Sequence, residues 1–234
     1  SWVDSSSICC HSVFVPPAAS GKEEETVYQP SDVIETAAEL RHVLGEVREA
    51  SANKVIDHID VHCRAWIERA PFVVVCTSDQ NGRMDVAPKG DPAGFVRVLD
   101  EKTLAIPDRL GNRRADSFLN ILENPRVGLM FVVPRRGEVV RVSGSAQVVR
   151  DAVLLDSMAV NGRAPQLAIL VRVEEAFWHC GKAMIRSRMW QPDVWPDIDG
   201  LPSYAQALLD HGNLSRSLAE LEEVVAHNER ERLY

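Results

Sequence analysis

The sequence predicts a mainly β protein, an antiparallel barrel with N-terminal and C-terminal helices packed outside it. Two observations carry this. Short β-branched runs follow one another from Phe72 to Val149, each bounded by Gly, Pro, Asn or Asp. They are joined by hairpin-like turns, with one short helix near 113–123 as the interruption, so strand and helix do not alternate as a doubly wound sheet requires.

The elements follow in order. Residues 1–29 mix serine, the Pro16-Pro17 pair and the acidic run Glu23-Glu24-Glu25, which predicts a loose arm ahead of a domain spanning 30–234. From Ser31 the spacing turns helical: Val33, Ile34, Ala37, Leu40, Val43, Leu44 and Val47 fall on one stripe, with Ser31 placed to cap it. A second helix is expected over 52–69, ending before Pro71. Strands are then expected at 72–77, 84–89, 95–99, 103–107, 127–133, 138–149 and 167–173, with Asn81-Gly82 turning the first hairpin. The segment 177–190 reads as a strand that becomes a helix. Beyond Pro192 the chain is proline-punctuated to Pro202, and helices at 203–211 and 215–230 complete a C-terminal extension over 191–234.

Composition narrows function. A net charge of −8 argues against nucleic-acid binding, which depends on neutralising phosphates, so local basic clusters point to a small anionic ligand. No apolar run approaches the ~18 residues of a membrane-spanning helix. The five cysteines are odd in number and include no CxxC pair, which fits a cytoplasmic protein without structural zinc. Signatures of nucleotide-binding, serine-hydrolase and HExxH zinc sites are missing. His58 and His62 are four apart on an expected helix but have no third ligand at a persuasive spacing, so no metal site is expected. His179-Cys180 would point to opposite strand faces, which suits a buried cysteine beside a cross-strand histidine better than an activated thiol.

The densest chemistry lies in Gly111-Asn112-Arg113-Arg114, with Asn112 the expected N-cap of the short helix and Arg109 just upstream. Two cations at the positive end of a helix are unfavourable unless an anion joins them. A phosphate fits, since guanidinium forks and free helix N–H groups both match its oxygens. The alternative is that these arginines splay into solvent or pair with Asp108 and Asp116. Arg135-Arg136-Gly137 reads as a charged hairpin tip, and Arg141, in an apolar strand, needs an anionic partner if it points inward.

NRRADSFLNILENPRVGLMF followed by VVRVSGSAQVV resembles the pyridoxamine 5′-phosphate oxidase-like family of FMN-binding split barrels. APKGDPAGFVRVLDEKTLAIPDRLGN with FWHCGKAMIRSRMW is similar to a subgroup of FMN-dependent enzymes of unassigned substrate. The resemblance covers 31–234 and implies an FMN-dependent oxidoreductase acting on a small molecule, with the flavin at a homodimer interface. It implies that Asn112, Arg113 and Arg114 hold the flavin phosphate, and that Val86, Ala87, Pro88 and Lys89 line the ring and ribityl side. Ile106 and Pro107 would meet the flavin from the next strand end, and Arg186, Arg188 and Trp190 would close over it from the second subunit. Lys182 or His179 could assist, but no catalytic acid or base is identified. The tyrosine, arginine and serine set and the Arg-x-His motif that grip vitamin B6 phosphate are missing, which disfavours that substrate. The rival readings are a carrier of flavin or haem without turnover, with His179 or His227 as the axial ligand, and a deazaflavin-dependent reductase.

Overall fold

Alternating burial builds the sheet. In β1 (Phe72–Ser78) the inward row is Val73, Val75 and Thr77, none more than 1% exposed, as a pleated strand with one buried face demands. β2 (Met84–Gly90), β3 (Arg97–Asp100), β4 (Thr103–Pro107), β5 (Arg126–Val132), β6 (Val139–Val149) and β7 (Ala168–His179) follow. All pairings are antiparallel, in the order β2-β1-β5-β6-β7-β4-β3. Three strands separate β1 from β4 in that order, yet Val73 and Val75 share one core with Leu104 and Ile106. The sheet therefore curls round its own apolar face, leaving a split between β2 and β3, the expected split barrel. The computed structural model describes residues 27–234 and divides the chain into two units, with the boundary between Glu46 and Val47. Residues 1–26 of the expected arm lie outside the described residues.

The helices depart from expectation in their bounds. In the first unit, α1 (Ala37–Leu44) is capped by a reciprocal Thr36–Glu39 box, not by Ser31, and none of its residues is buried. Of the expected 52–69 helix only α3 (Val61–Ile67) forms, preceded by the short α2 (Glu49–Ala52), which ends where the expected helix would begin. Between them Ile56 makes a β-bridge to Ala176, and Asp60 caps α3 through the Cys63 N–H at 2.7 Å. The helix before β5 is α4 (Asp116–Glu123), three residues shorter at its start than expected. An unexpected helix, α5 (Ala152–Ser157), packs Leu155 with Met158, Ala105 and Ala168 in a small second core. β7 runs on to His179 and is followed by α6 (Lys182–Arg186), so the strand-to-helix reading of 177–190 holds. The last helices are α7 (Tyr204–Gly212) and α8 (Leu218–Glu231), each with a serine cap. No helix among the described residues is long and apolar enough to cross a membrane.

The longest pairing, β6 with β7, cannot run straight in a sheet that closes on itself. Its register shifts between Ser143 and Gly144, a β-bulge of the kind that bends and twists a strand. A Cβ on Gly144 would collide with the Arg172 carbonyl oxygen and lie 3.0 Å from its carbon. Gly144→Ala is expected to destabilise the protein by about 3 kcal/mol or more, because rigid backbone must move to admit the methyl. Urea unfolding measures this; a loss under about 1 kcal/mol would mean that the bulge relaxes freely.

Candidate functional site

β2 is an edge strand whose two faces differ. Asp85, Ala87 and Lys89 are half-buried, while Met84, Val86 and Pro88 are exposed. Strand alternation therefore divides the expected lining residues: Ala87 and Lys89 face the α4 side, and Val86 and Pro88 the other. Helix α4 is sewn to β1 and β2 by Ser117 Oγ donating to Asp85 Oδ2 at 2.7 Å, Asn120 Nδ2 to Thr77 Oγ1 at 3.0 Å and Asn124 Nδ2 to Ser78 Oγ at 2.8 Å. Lys89 Nζ lies 5.7 Å from the Phe118 ring centroid, within cation–π range.

β4 delivers the chain to the same neighbourhood. Ile106 is 1% exposed and Pro107 is buried, so Ile106 spends its side chain on the core and offers a ligand only backbone. Asp108 follows, anchored by its N–H to the Leu167 carbonyl at 2.9 Å. Burial raises its carboxyl pKa, opposed by the positive charges of Lys89 and Arg109.

The turn that follows is exposed from Leu110 to Ala115. Asn112 is not the helix cap. Its Oδ1 accepts the Arg114 N–H at 3.0 Å, and the cap position falls to Ala115, left-handed at φ 59° with no side-chain bond to the helix. Arg113 is also left-handed, at φ 61°. Non-glycine residues in that region are uncommon and cluster at sites where structure is held for a purpose. A helix leaves its first N–H groups without intrahelical partners, and here no side chain caps them. Arg114 Nε binds Asp116 Oδ2 at 2.7 Å, which raises the guanidinium pKa and lowers the carboxyl pKa. The pairing alternative thus holds for Arg114, in an exposed pair that solvent screens. Arg113 has no acidic partner within salt-bridge distance among the described residues.

Arg109 does not join this turn. Its Nε binds Asp91 Oδ2 at 2.6 Å and its Nη2 the Met158 carbonyl at 2.9 Å, while Asp91 Oδ1 accepts the Tyr234 hydroxyl at 2.6 Å. Sequence reading missed this cluster because its members are distant along the chain, and no local signal marks them. A cavity of about 260 Å³ adjoins it, walled by Asp108, Leu110, Arg163, Gln166 and Tyr234.

The third expected group lies elsewhere. Trp190 Nε1 donates to the Arg136 carbonyl at 2.7 Å, and Gly181 packs so closely on Gly137 that a Cβ there would lie 2.9 Å from its carbonyl carbon. Arg186 and Arg188 are exposed beside this hairpin tip, Arg188 at φ 50°. Among the described residues no hydrogen bond or ion pair links residues 182–190 to β2 or to the 108–116 turn. Arg141 points outward, 5.0 Å from the Phe177 ring centroid. Cys180 is exposed, not buried, because β7 ends at His179. His58 Nδ1 contacts Asp57 Oδ1 at 3.0 Å, and Lys102 binds the same carboxylate, holding its pKa down to about 2.

A family model described as pyridoxamine 5′-phosphate oxidase matches residues 59–180. Solved structures with a similar fold include HupZ of Group A Streptococcus, 20% identical over 50% of this chain and 91% of its own, with a TM-score of 0.42. General Stress Protein 26 of Bacillus anthracis is 16% identical over 49% of this chain and 88% of its own, with a TM-score of 0.39. An FMN-binding protein of Syntrophomonas wolfei is 10% identical over 49% and 86%, with a TM-score of 0.37. No curated protein matches the chain.

The sign of the Asp108 shift gives a pH prediction. A carboxyl whose folded pKa is raised lowers stability wherever it is ionised, and the penalty vanishes once both states are protonated, below the ordinary value of 3.8. Asp108→Asn is expected to raise the melting temperature at pH 7.5, with the gain fading as pH falls through the folded pKa. A gain that grew toward acid would reverse the assignment.

Proposed function

The chain belongs to the pyridoxamine 5′-phosphate oxidase family, and on that premise we propose that it is an FMN-dependent oxidoreductase acting on a small molecule other than vitamin B6. The observation that carries the reading is the Asn112–Arg114 turn. Arg113, exposed and without an acidic partner among the described residues, stands in a left-handed turn ahead of a helix with no side-chain cap. That donor set suits a phosphate monoester: a guanidinium fork and helix N–H groups together match its oxygens. Arg114 would exchange its screened pairing with Asp116 for the phosphate.

Bound FMN would supply two-electron chemistry at its ring, which no side chain provides. The chain's own residues bind and orient. Lys89 would present positive charge to the ring side, steadied by Phe118 and by Asp108. Ala87 shares its face, and Ile106 and Pro107 would form the floor through their backbone. Val86 and Pro88, on the exposed face of the edge strand, would meet a second copy in a homodimer. Arg186, Arg188 and Trp190 do not reach the turn in their own chain, so we assign them to closing the site of the partner. The domain is proposed to begin near residue 30, with 1–29 as an arm, and the protein to work in the cytoplasm.

Excess FMN is expected to raise stability, by about 2.7 kcal/mol at 100 times its dissociation constant, and the protein is expected to release FMN that mass spectrometry identifies. A colourless protein unaffected by FMN would end the proposal. Arg113→Ala and Arg114→Ala are each expected to weaken FMN at least about tenfold, since a charge-assisted hydrogen bond is worth about 1.5–3 kcal/mol. Riboflavin, which lacks the phosphate, should change less than about twofold. Equal losses for the two ligands would remove the arginines from the phosphate.

A further inference from the structure

We infer that Tyr234 is a positioning residue for the cofactor turn, acting through the Asp91–Arg109 pair; its bearing on flavin rests on the FMN reading above. The Asp91 side chain is 1% exposed and carries an obligation at each oxygen: Oδ2 accepts from Arg109 Nε and Oδ1 from the Tyr234 hydroxyl, both at 2.6 Å. The Arg109 guanidinium lies 5.7 Å from the Tyr234 ring centroid, so the tyrosine meets both members of the pair. Arg163 Nη1 holds the Tyr234 carbonyl at 2.7 Å, fixing the residue from behind. The hydroxyl pKa is raised by the Asp91 carboxylate, so at neutral pH the tyrosine remains a donor.

This cluster decides where the turn begins. From Leu110 to Ala115 the only hydrogen bond from a backbone N–H is that of Arg114 to the Asn112 side chain. The turn is exposed and contains two left-handed residues, so its internal bonding does not hold it in place. Its far end is fixed by α4, which three side-chain bonds tie to β1 and β2. Its near end is fixed by Arg109, which is aligned by a buried carboxylate that Tyr234 shares. Leu110, the first residue of the turn, and Tyr234 wall the same cavity. Losing the hydroxyl leaves Asp91 Oδ1 buried without a donor, and the carboxylate can then rotate away from Arg109.

The test uses the full chain and Tyr234→Phe, which keeps the ring. In the FMN-free protein, amide hydrogen exchange at 110–114 is expected to rise about tenfold while β5 and β6 keep wild-type protection. With ligand, FMN is expected to weaken about tenfold and riboflavin less than about twofold, because only FMN uses the turn. Unchanged exchange at 110–114, or an equal rise across the sheet, would overturn the inference, as would equal losses of both ligands. If the wild-type protein binds no FMN, the flavin reading falls, and the exchange result alone decides whether Tyr234 positions the turn. Asp91→Asn, which weakens the same pair from the other side, is expected to reproduce the exchange pattern of Tyr234→Phe; wild-type exchange in that variant would also overturn the inference.

Discussion

The architecture depends on one close approach of backbone to backbone, Gly144 against Arg172. Seven strands in one sheet must curl for Val73 of β1 and Leu104 of β4 to share a core, and the two longest strands slip register at the Gly144 bulge, a feature that bends a strand. The 110–115 turn and the Asp91–Arg109 pair lie where the closing edges approach each other. β2 ends in Lys89 and Gly90, the chain crosses the split through Asp91 to Phe95, and β4 returns to Asp108 and Arg109 beside Asp91.

The strands were legible because β-branched runs and turn residues are local signals, and every expected strand is present with its ends within two residues, except that β7 runs six residues past its expected end. The fold class followed from their succession. Helix bounds were less legible, for identifiable reasons. Asn112 has a capping side chain, but it folds onto Arg114 within the turn, and two left-handed residues delay α4 until Asp116. The 52–69 pattern of apolar residues conceals a non-helical stretch over 53–60, where Ile56 makes a β-bridge to Ala176 and Asp60 caps a helix that starts only at Val61. The apolar stripe from Val33 to Val47 suggested a packed helix, yet its residues are exposed and only Ala37–Leu44 is helical. Of the candidate site, the turn and Lys89 could be read locally. The Asp91–Arg109–Tyr234 cluster could not, because long-range pairing leaves no mark on the residues that flank it.

Charge placement would let an acidic chain hold the proposed anion. The net charge of −8 is spread over the molecule, and solvent screens it beyond about 8–10 Å at physiological salt. A ligand at the turn would therefore respond mainly to its neighbours. Arg113 and Lys89 are the cations near it, Arg114 is paired lightly with Asp116, and Arg109 is removed from the account by the buried Asp91. Of these four cations, one is structural and three would be left to respond to the proposed ligand.

Pro88 gives the edge strand a further property. A proline has no N–H to donate and is tolerated in a sheet where that missing donor faces away from the ladder. β2 has β1 as its single neighbour, so its outer rim lacks a donor at Pro88 and cannot offer an unbroken template to another strand. Ribbon-like growth of the sheet from molecule to molecule is discouraged at the place where it would otherwise start. The apolar side chains of Met84 and Val86, both more than 60% exposed, are left as the means by which this rim can be covered, and they permit a finite face-to-face contact without an open-ended fibre.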